Sequence, residues 1–171
     1  YKKIRHWNSP PTKSDFEDLQ DHLWFADEAQ RDEDFWSTRP LCAAVGVTGD
    51  YLSRAKKVFD AGARLICVDV AHGDHVLALD AVKSLRETFG DRIHIMAGNV
   101  ATLEGFNSLA DAGASSVRVG VGGGSICSTR IQTGHGVPTL QSILDCSNTS
   151  QDCLIIADGG IKNSGDIVKA I

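Results

Sequence analysis

Residues 60–70 read DAGARLICVDV and residues 111–119 read DAGASSVRV. Each string ends a stretch of helical periodicity on Asp-Ala-Gly-Ala and runs straight into a short apolar segment, and the two strings begin 51 residues apart. Glycine just past the last helical residue is a common C-terminal stop, so Gly62 and Gly113 read as helix ends and the apolar runs behind them as strands. That interval accommodates two strand–helix units of about 25 residues, as the repeats of an α/β barrel do.

Outward from these anchors the pattern continues in both directions. Short apolar runs at Cys42–Val47, Leu65–Val70, Ile93–Ala97, Ser116–Val119 and Leu154–Ala157 read as strands. Segments with helical spacing fall between and after them, at Tyr51–Ala61, His75–Phe89, Thr102–Ala112, Thr139–Cys146 and from Ser164 onward. Strands buried on both faces read as unbroken apolar runs, and their alternation with helices indicates βα units with a parallel sheet. The expected fold is therefore α/β, a TIM (β/α)8 barrel represented by about five βα units. With 171 residues the chain is shorter than the roughly 250 of a complete barrel. Tyr1 in place of Met, and Ile171 inside a helical pattern, are read as cut ends.

Residues 1–40 differ in composition. They hold all three tryptophans, Trp7, Trp24 and Trp36, among many acids. Ser14 with Glu17 has the spacing of a capping box, and Phe16, Leu19, Leu23 and Ala26 recur at helical intervals, so a helix is expected over about 15–30. This lead, 1–40, is set apart from the barrel segment, 41–171.

Net charge of -5 and the absence of a basic stripe argue against nucleic acid and anionic membranes as partners. No apolar stretch approaches the roughly 18 residues of a membrane span. The five cysteines, Cys42, Cys67, Cys127, Cys146 and Cys153, are odd in number and form no C-x-x-C pair. That usage fits reduced thiols in a cytoplasmic protein better than a disulfide framework or a zinc site.

Barrels of this kind gather their chemistry at the carboxyl ends of the strands. There the chain places Asp69 with His72 and Gly73, Gly98 with Asn99, Arg118 leading into a glycine-dense loop, and Asp158-Gly159-Gly160. The loop reads GVGGGSICSTRIQTGHGVP over residues 120–138 and presents Cys127 between Ile126 and Ser128. Glycines let backbone N–H groups approach a phosphate and carbonyls approach a cation. Cys127 reads as a presented thiol, against the plainer alternative of an inert small residue. A carboxylate at Asp158 suits ribose hydroxyls, and the glycine N–H groups behind it suit a phosphate. Structural alternatives stand beside these: Asp69 as a helix-capping acid, Asn99 as a donor to loop carbonyls, His72 as part of a turn.

Taken together, the strings CAAVGV, DVAHG, AGNVAT, VRVGVGGGSICSTR, TGHGVP and IIADGGIKNSGDIVKAI resemble the catalytic barrel of the IMP dehydrogenase/GMP reductase family, from about Leu41 to Ile171. The resemblance implies an oxidoreductase in which Cys127 attacks C2 of a purine 5′-monophosphate and Thr129 helps activate water or handle departing ammonia. It implies that Ser125, Gly159 and Gly160 hold the phosphate and Asp158 the ribose. Asp69, Asn99, Gly120, Val121 and Gly122 would lie near the nicotinamide of NAD, or of NADPH in a reductase. Backbone carbonyls of Gly122, Gly124 and Cys127 would bind a monovalent cation, K+, and the assembly would be a homotetramer.

The chain also departs from the family pattern. It carries nothing matching the family's first two strands, eighth strand, C-terminal flap or CBS insertion, so as written it is expected to hold part of the nucleotide site without turning over. Val70 and Ala71 after Asp69, and the AGNV string, are closer to reductases. RIQTGHGVP, ADGGIKNSGDIVKAI and Arg118 are closer to dehydrogenases. The balance favours an IMP dehydrogenase, with GMP reductase and a non-catalytic nucleotide-binding protein as alternatives.

Overall fold

The structure is a computed structural model and describes residues 41–171. The helix expected over 15–30 lies outside the described residues. Five strands, β1 (Leu41–Val45), β2 (Ala63–Asp69), β3 (His94–Val100), β4 (Ser116–Val119) and β5 (Leu154–Ala157), form one sheet in the order β1-β2-β3-β4-β5, every neighbouring pair parallel. An open doubly wound sheet reverses its strand order at a switch point, whereas a barrel runs in chain order, so this is a partial (β/α) barrel. Right-handed crossovers between successive neighbours place the intervening helices on the same face.

Those helices are α1 (Tyr51–Asp60), α2 (Val76–Phe89), α3 (Leu103–Asp111), α4 (Ser128–Thr133), α5 (Thr139–Cys146) and α6 (Ser164–Ala170), with a 3-10 turn at Gly90–Arg92. Local chemistry sets their ends. Asp50 caps α1 by accepting from Ser53 N, Thr102 caps α3 from Gly105 N, and Asn163 caps α6 from Asp166 N. The helix after β2 is capped by His75, whose Nδ1 accepts from Leu77 N, and not by Asp69. Gly62 and Gly113 follow α1 and α3 with φ of 104° and 105°, as the repeated Asp-Ala-Gly-Ala strings require.

Sheet register sorts the strand residues into two faces. Val45, Val68, Ala97, Val117 and Ile155 are partners in one row facing the helices. The first four, with Ile66, Ile95, Val119, Leu85, Phe106 and Leu109, belong to a single core, and the partly buried Ile155 packs against it. Fully burying side chains of this size stabilises a fold by about 1.5–3 kcal/mol each before chain entropy is charged against it. The opposite face carries Cys67, Met96 and Ser116 in one row and Asp69, Gly98 and Arg118 in the next. This second row reaches the carboxyl rim.

At the amino-terminal rim, Arg86 of α2 donates to the carbonyls of Gly113 and Gly90 and to Ser115 Oγ at 2.7–3.0 Å. One guanidinium thus ties α2 to the start of β4.

Three sequence readings need correction. The glycine-dense segment is not loop throughout, since Ser128–Thr133 is helical. Strand β1 begins at Leu41 and stops at Val45, short of Val47. Strand β3 runs on through Gly98 and Asn99 to Val100, with a register shift between Gly98 and Val100.

Candidate active site

Arg118 organises the carboxyl rim. It points from the end of β4 to the face away from the helices, with Nη1 2.9 Å from Asp69 Oδ1 and Nη2 2.8 Å from Asp158 Oδ2. Asn99, turned inward by the shifted register of β3, donates Nδ2 to the same Asp158 oxygen at 2.6 Å and to Gly120 O at 2.8 Å. Four strand ends are thereby joined through two acids, one cation and one amide. Burial pushes the Asp158 carboxyl up, but the hydrogen bonds from Asn99 and Arg118, with the charge of Arg118, more than offset it and hold the group below the ordinary carboxylate range. Asp158 is therefore ionised near neutral pH.

Past β4 the chain bends at Val121 and Gly122 and runs on to Cys127, which precedes α4. The Cys127 thiol is held below its usual value chiefly by the backbone N–H of Arg130, which with further donors at Thr129 and Gly122 outweighs the opposing effect of desolvation. Hydrogen bonds to sulfur favour the thiolate, the nucleophilic form. The other cysteines go the opposite way: burial pushes Cys42 and Cys67 up, and burial next to an acid carries Cys146 and Cys153 to about 11.

Cys127 should consequently be the first thiol alkylated by iodoacetamide near neutral pH, by at least ~10-fold over Cys153, once the larger thiolate fraction is set against lower intrinsic nucleophilicity. Peptide mapping after a short pulse checks this. Prior labelling of Cys42 or Cys153 would contradict it.

A cleft of about 330 Å3 opens beside the thiol, lined by Asp69, Val70, Ala71, Asn99, Arg118, Gly120, Val121, Gly122, Cys127 and Thr129. The expected nucleophile, its threonine and all five residues expected near the nicotinamide therefore share one wall. Asp69 is more than half exposed there, so its carboxylate is open to a ligand as well as to Arg118.

The other expected residues line no part of this cleft. Ser125 is exposed, and Asp158 reaches the cleft only through Arg118 and Asn99. Gly159 and Gly160 have φ of 86° and 81°, and among the described residues no backbone acceptor takes their N–H groups. They back directly onto the glycine loop: a Cβ on Gly160 would lie 3.0 Å from Gly123 O. Among the carbonyls expected to bind a cation, Gly124 O already accepts from Cys127 N at 3.2 Å and keeps a second lone pair. No cluster of His, Cys, Asp and Glu suited to a metal ion occurs among the described residues. His72 is exposed and outside the cleft. Arg118 is the site residue that motif reading left without a role. Its position two residues after Ser116 on the inward row was the available signal.

A parallel barrel sheet with a presented thiol and an acid–arginine network at its carboxyl rim places the molecule among the α/β-barrel proteins that carry their chemistry there. Residues 20–171 match the family described as the IMP dehydrogenase / GMP reductase domain, and the chain belongs to it. It is 50% identical over 131 residues to an inosine-5′-monophosphate dehydrogenase of Bacillus subtilis, covering 75% of this chain and 27% of that protein. The chain thus spans about a quarter of the length of that relative. Among solved structures it is similar to the inosine 5′-monophosphate dehydrogenase of Legionella pneumophila, with TM-score 0.71, 53% identity, and coverage of 78% of this chain and 40% of that one. It is also similar to a GMP reductase of Trypanosoma brucei, with TM-score 0.70, 45% identity, and coverage of 75% and 29%. Among the described residues no helix is long and apolar enough to cross a membrane.

Proposed function

We propose that residues 41–171 are the nucleotide-handling part of an IMP dehydrogenase, oxidising IMP to XMP in guanine nucleotide synthesis. The observation that carries this reading is the shared cleft: an activated thiol, Thr129 and the Asp69–Asn99–Gly120 wall face one space. The named relatives at about half identity, and the higher identity to the dehydrogenase structure, favour the dehydrogenase over the reductase.

In this reading the ribose 5′-phosphate lies along the Asp158-Gly159-Gly160 turn. The free glycine N–H groups and the Ser125 hydroxyl donate to the phosphate, and Asp158 accepts from the ribose hydroxyls. The purine then extends towards Cys127, whose thiolate adds to C2. A nicotinamide dinucleotide, NAD, fits the exposed Asp69 carboxylate and the Asn99 and Gly120–Gly122 wall and would supply the acceptor for the hydride that leaves C2. Cys127 is then joined to the purine as a thioimidate. Water oriented by Thr129 adds to C2, the carbon–sulfur bond breaks, and the sulfur departs as thiolate while the water protons pass to solvent. The carbonyl-only donors of Gly122, Gly124 and Cys127 suit a large monovalent cation such as K+ better than a divalent one. A cytoplasmic homotetramer, with 1–40 as a separate lead, belongs to the same proposal.

The test is an assay of the intact protein with each substrate pair, following the reduced cofactor. NADH produced from IMP and NAD supports the dehydrogenase. Oxidation of NADPH by GMP with ammonia released would transfer the same residues to the reductase reaction, which the Val70-Ala71 pair favours.

A further inference from the structure

We propose that Arg118 is the positioning residue of the nucleotide subsite: anchored by Asp69, its guanidinium fixes the Asp158 carboxylate with one oxygen turned out for the ribose hydroxyls. The proposal rests on the nucleotide reading above and adds to it a residue that acts on the ribose through Asp158.

Geometry supports it. The two terminal nitrogens of Arg118 go to different acids, 2.9 Å to Asp69 and 2.8 Å to Asp158. At Asp158 the Arg118 and Asn99 donors meet on Oδ2 alone, and among the described residues no group donates to Oδ1. Two donors from different strands on one oxygen set the plane of the carboxylate. The free oxygen is then the acceptor left for a diol. The Arg118 side chain is 24% exposed, and its Nη1 also lies 3.9 Å from the buried Cys67 sulfur. The limb to Asp158 is half-buried, whereas the limb to Asp69 is solvated and contributes orientation more than energy.

Asp69, 55% exposed, holds the far side of the fork. Without it the guanidinium would be free to swing about Asp158. A lysine offers one point charge where the arginine offers a planar fork, so it can serve one acid at a time. The groups facing Asp158 are Arg118 from β4, Asn99 from β3 and, behind Arg118, Asp69 and the Cys67 thiol from β2. Arg118 is the one cation among them, so its removal lets burial raise the Asp158 carboxyl.

The experiment compares Arg118→Met, Arg118→Lys and Asp158→Asn in the intact protein, reading KM for IMP, kcat, and the acid limb of kcat/KM. Loss of a charge-assisted hydrogen bond predicts that Arg118→Met raises KM about 10- to 100-fold with kcat within about threefold. Arg118→Lys should recover part of the loss. In Arg118→Met the acid limb should move to higher pH, because the acceptor is protonated sooner. A protein merely weakened in its fold would lose kcat with the limb unmoved, and that result overturns the proposal. So does an unchanged KM and limb in Arg118→Lys and Arg118→Met while Asp158→Asn raises KM, which leaves the nucleotide reading standing. If Asp158→Asn also leaves KM unchanged, both readings fall. Should Arg118→Met not fold, the KM and limb of Arg118→Lys decide.

Discussion

Replacing Cys127 with alanine in the intact protein is expected to lower kcat by about 10⁴-fold or more while leaving nucleotide affinity within a few-fold of the parent. The asymmetry follows from how the site is divided. The groups assigned to the ribose and phosphate are Asp158, Gly159, Gly160 and Ser125, and Cys127 contributes no side-chain contact to the Asp69–Arg118–Asp158–Asn99 network. The sulfur instead receives N–H groups of its own loop and of α4, foremost that of Arg130, which favour its thiolate form. With that atom removed no covalent adduct forms, and nothing else lining the cleft offers a comparable nucleophile: Thr129 is a neutral hydroxyl, and the Asp69 carboxylate is a far weaker nucleophile than a thiolate. Steady-state rates beside equilibrium binding of IMP make the check. Turnover within about tenfold of the parent would reject covalent catalysis through position 127, whereas loss of both rate and binding would mean that the thiol is needed for the loop's shape.

Why the thiol was legible and its surroundings were not is a matter of range. Strands β4 and β5 match the sequence reading to the residue, Ser116–Val119 and Leu154–Ala157, and each is closed at its carboxyl end by a residue that breaks the run, Gly120 or Asp158. The end of β3, which also runs into the site, extends past its sequence reading. Gly98 and Asn99 look like loop residues, yet pairing of Asp69 with Gly98 and of Gly98 with Arg118 keeps them in the sheet. That pairing comes from neighbouring strands and not from local preference. Helix α4 was missed because its six residues have no buried face, with Ile131 72% exposed, so no periodic signal marks it. Asp69 and Asp158 were picked out as rim acids by motif. Their joining through Arg118 links positions 49 and 40 residues apart, which register alone reveals.

Gly120→Ala should be nearly as damaging as loss of the thiol, for a steric reason. Gly120 has φ of 147°, outside the regions open to residues with a side chain, and a Cβ built there would run into the carbonyl oxygen of Asp158, with Thr139 Cγ2 3.6 Å away. The neighbours on both sides are held: Gly120 N donates to Val100 O at 2.8 Å, Gly120 O accepts from Asn99, and Asp158 N donates to Val119 O at 2.9 Å. The clash therefore cannot be relieved by a side-chain rotation. Either the glycine loop or the Asp158-Gly159-Gly160 turn has to move, and each of them carries half of the site. Strained backbone of this type costs of the order of 1–3 kcal/mol, and misplacing reacting groups by about 1 Å costs about 100-fold in rate. The expected variant folds with a lowered melting temperature, loses at least ~100-fold in kcat/KM, and loses the preferential alkylation of Cys127 as its backbone donors shift. Gly134→Ala is the control, since Gly134 also has positive φ, 71°, but meets nothing within 4 Å. It should show a strain penalty of similar kind in melting temperature with kcat/KM within about threefold. Equal losses of activity in the two variants would show that backbone strain, and not the packing of the glycine loop on the Asp158 turn, limits this site.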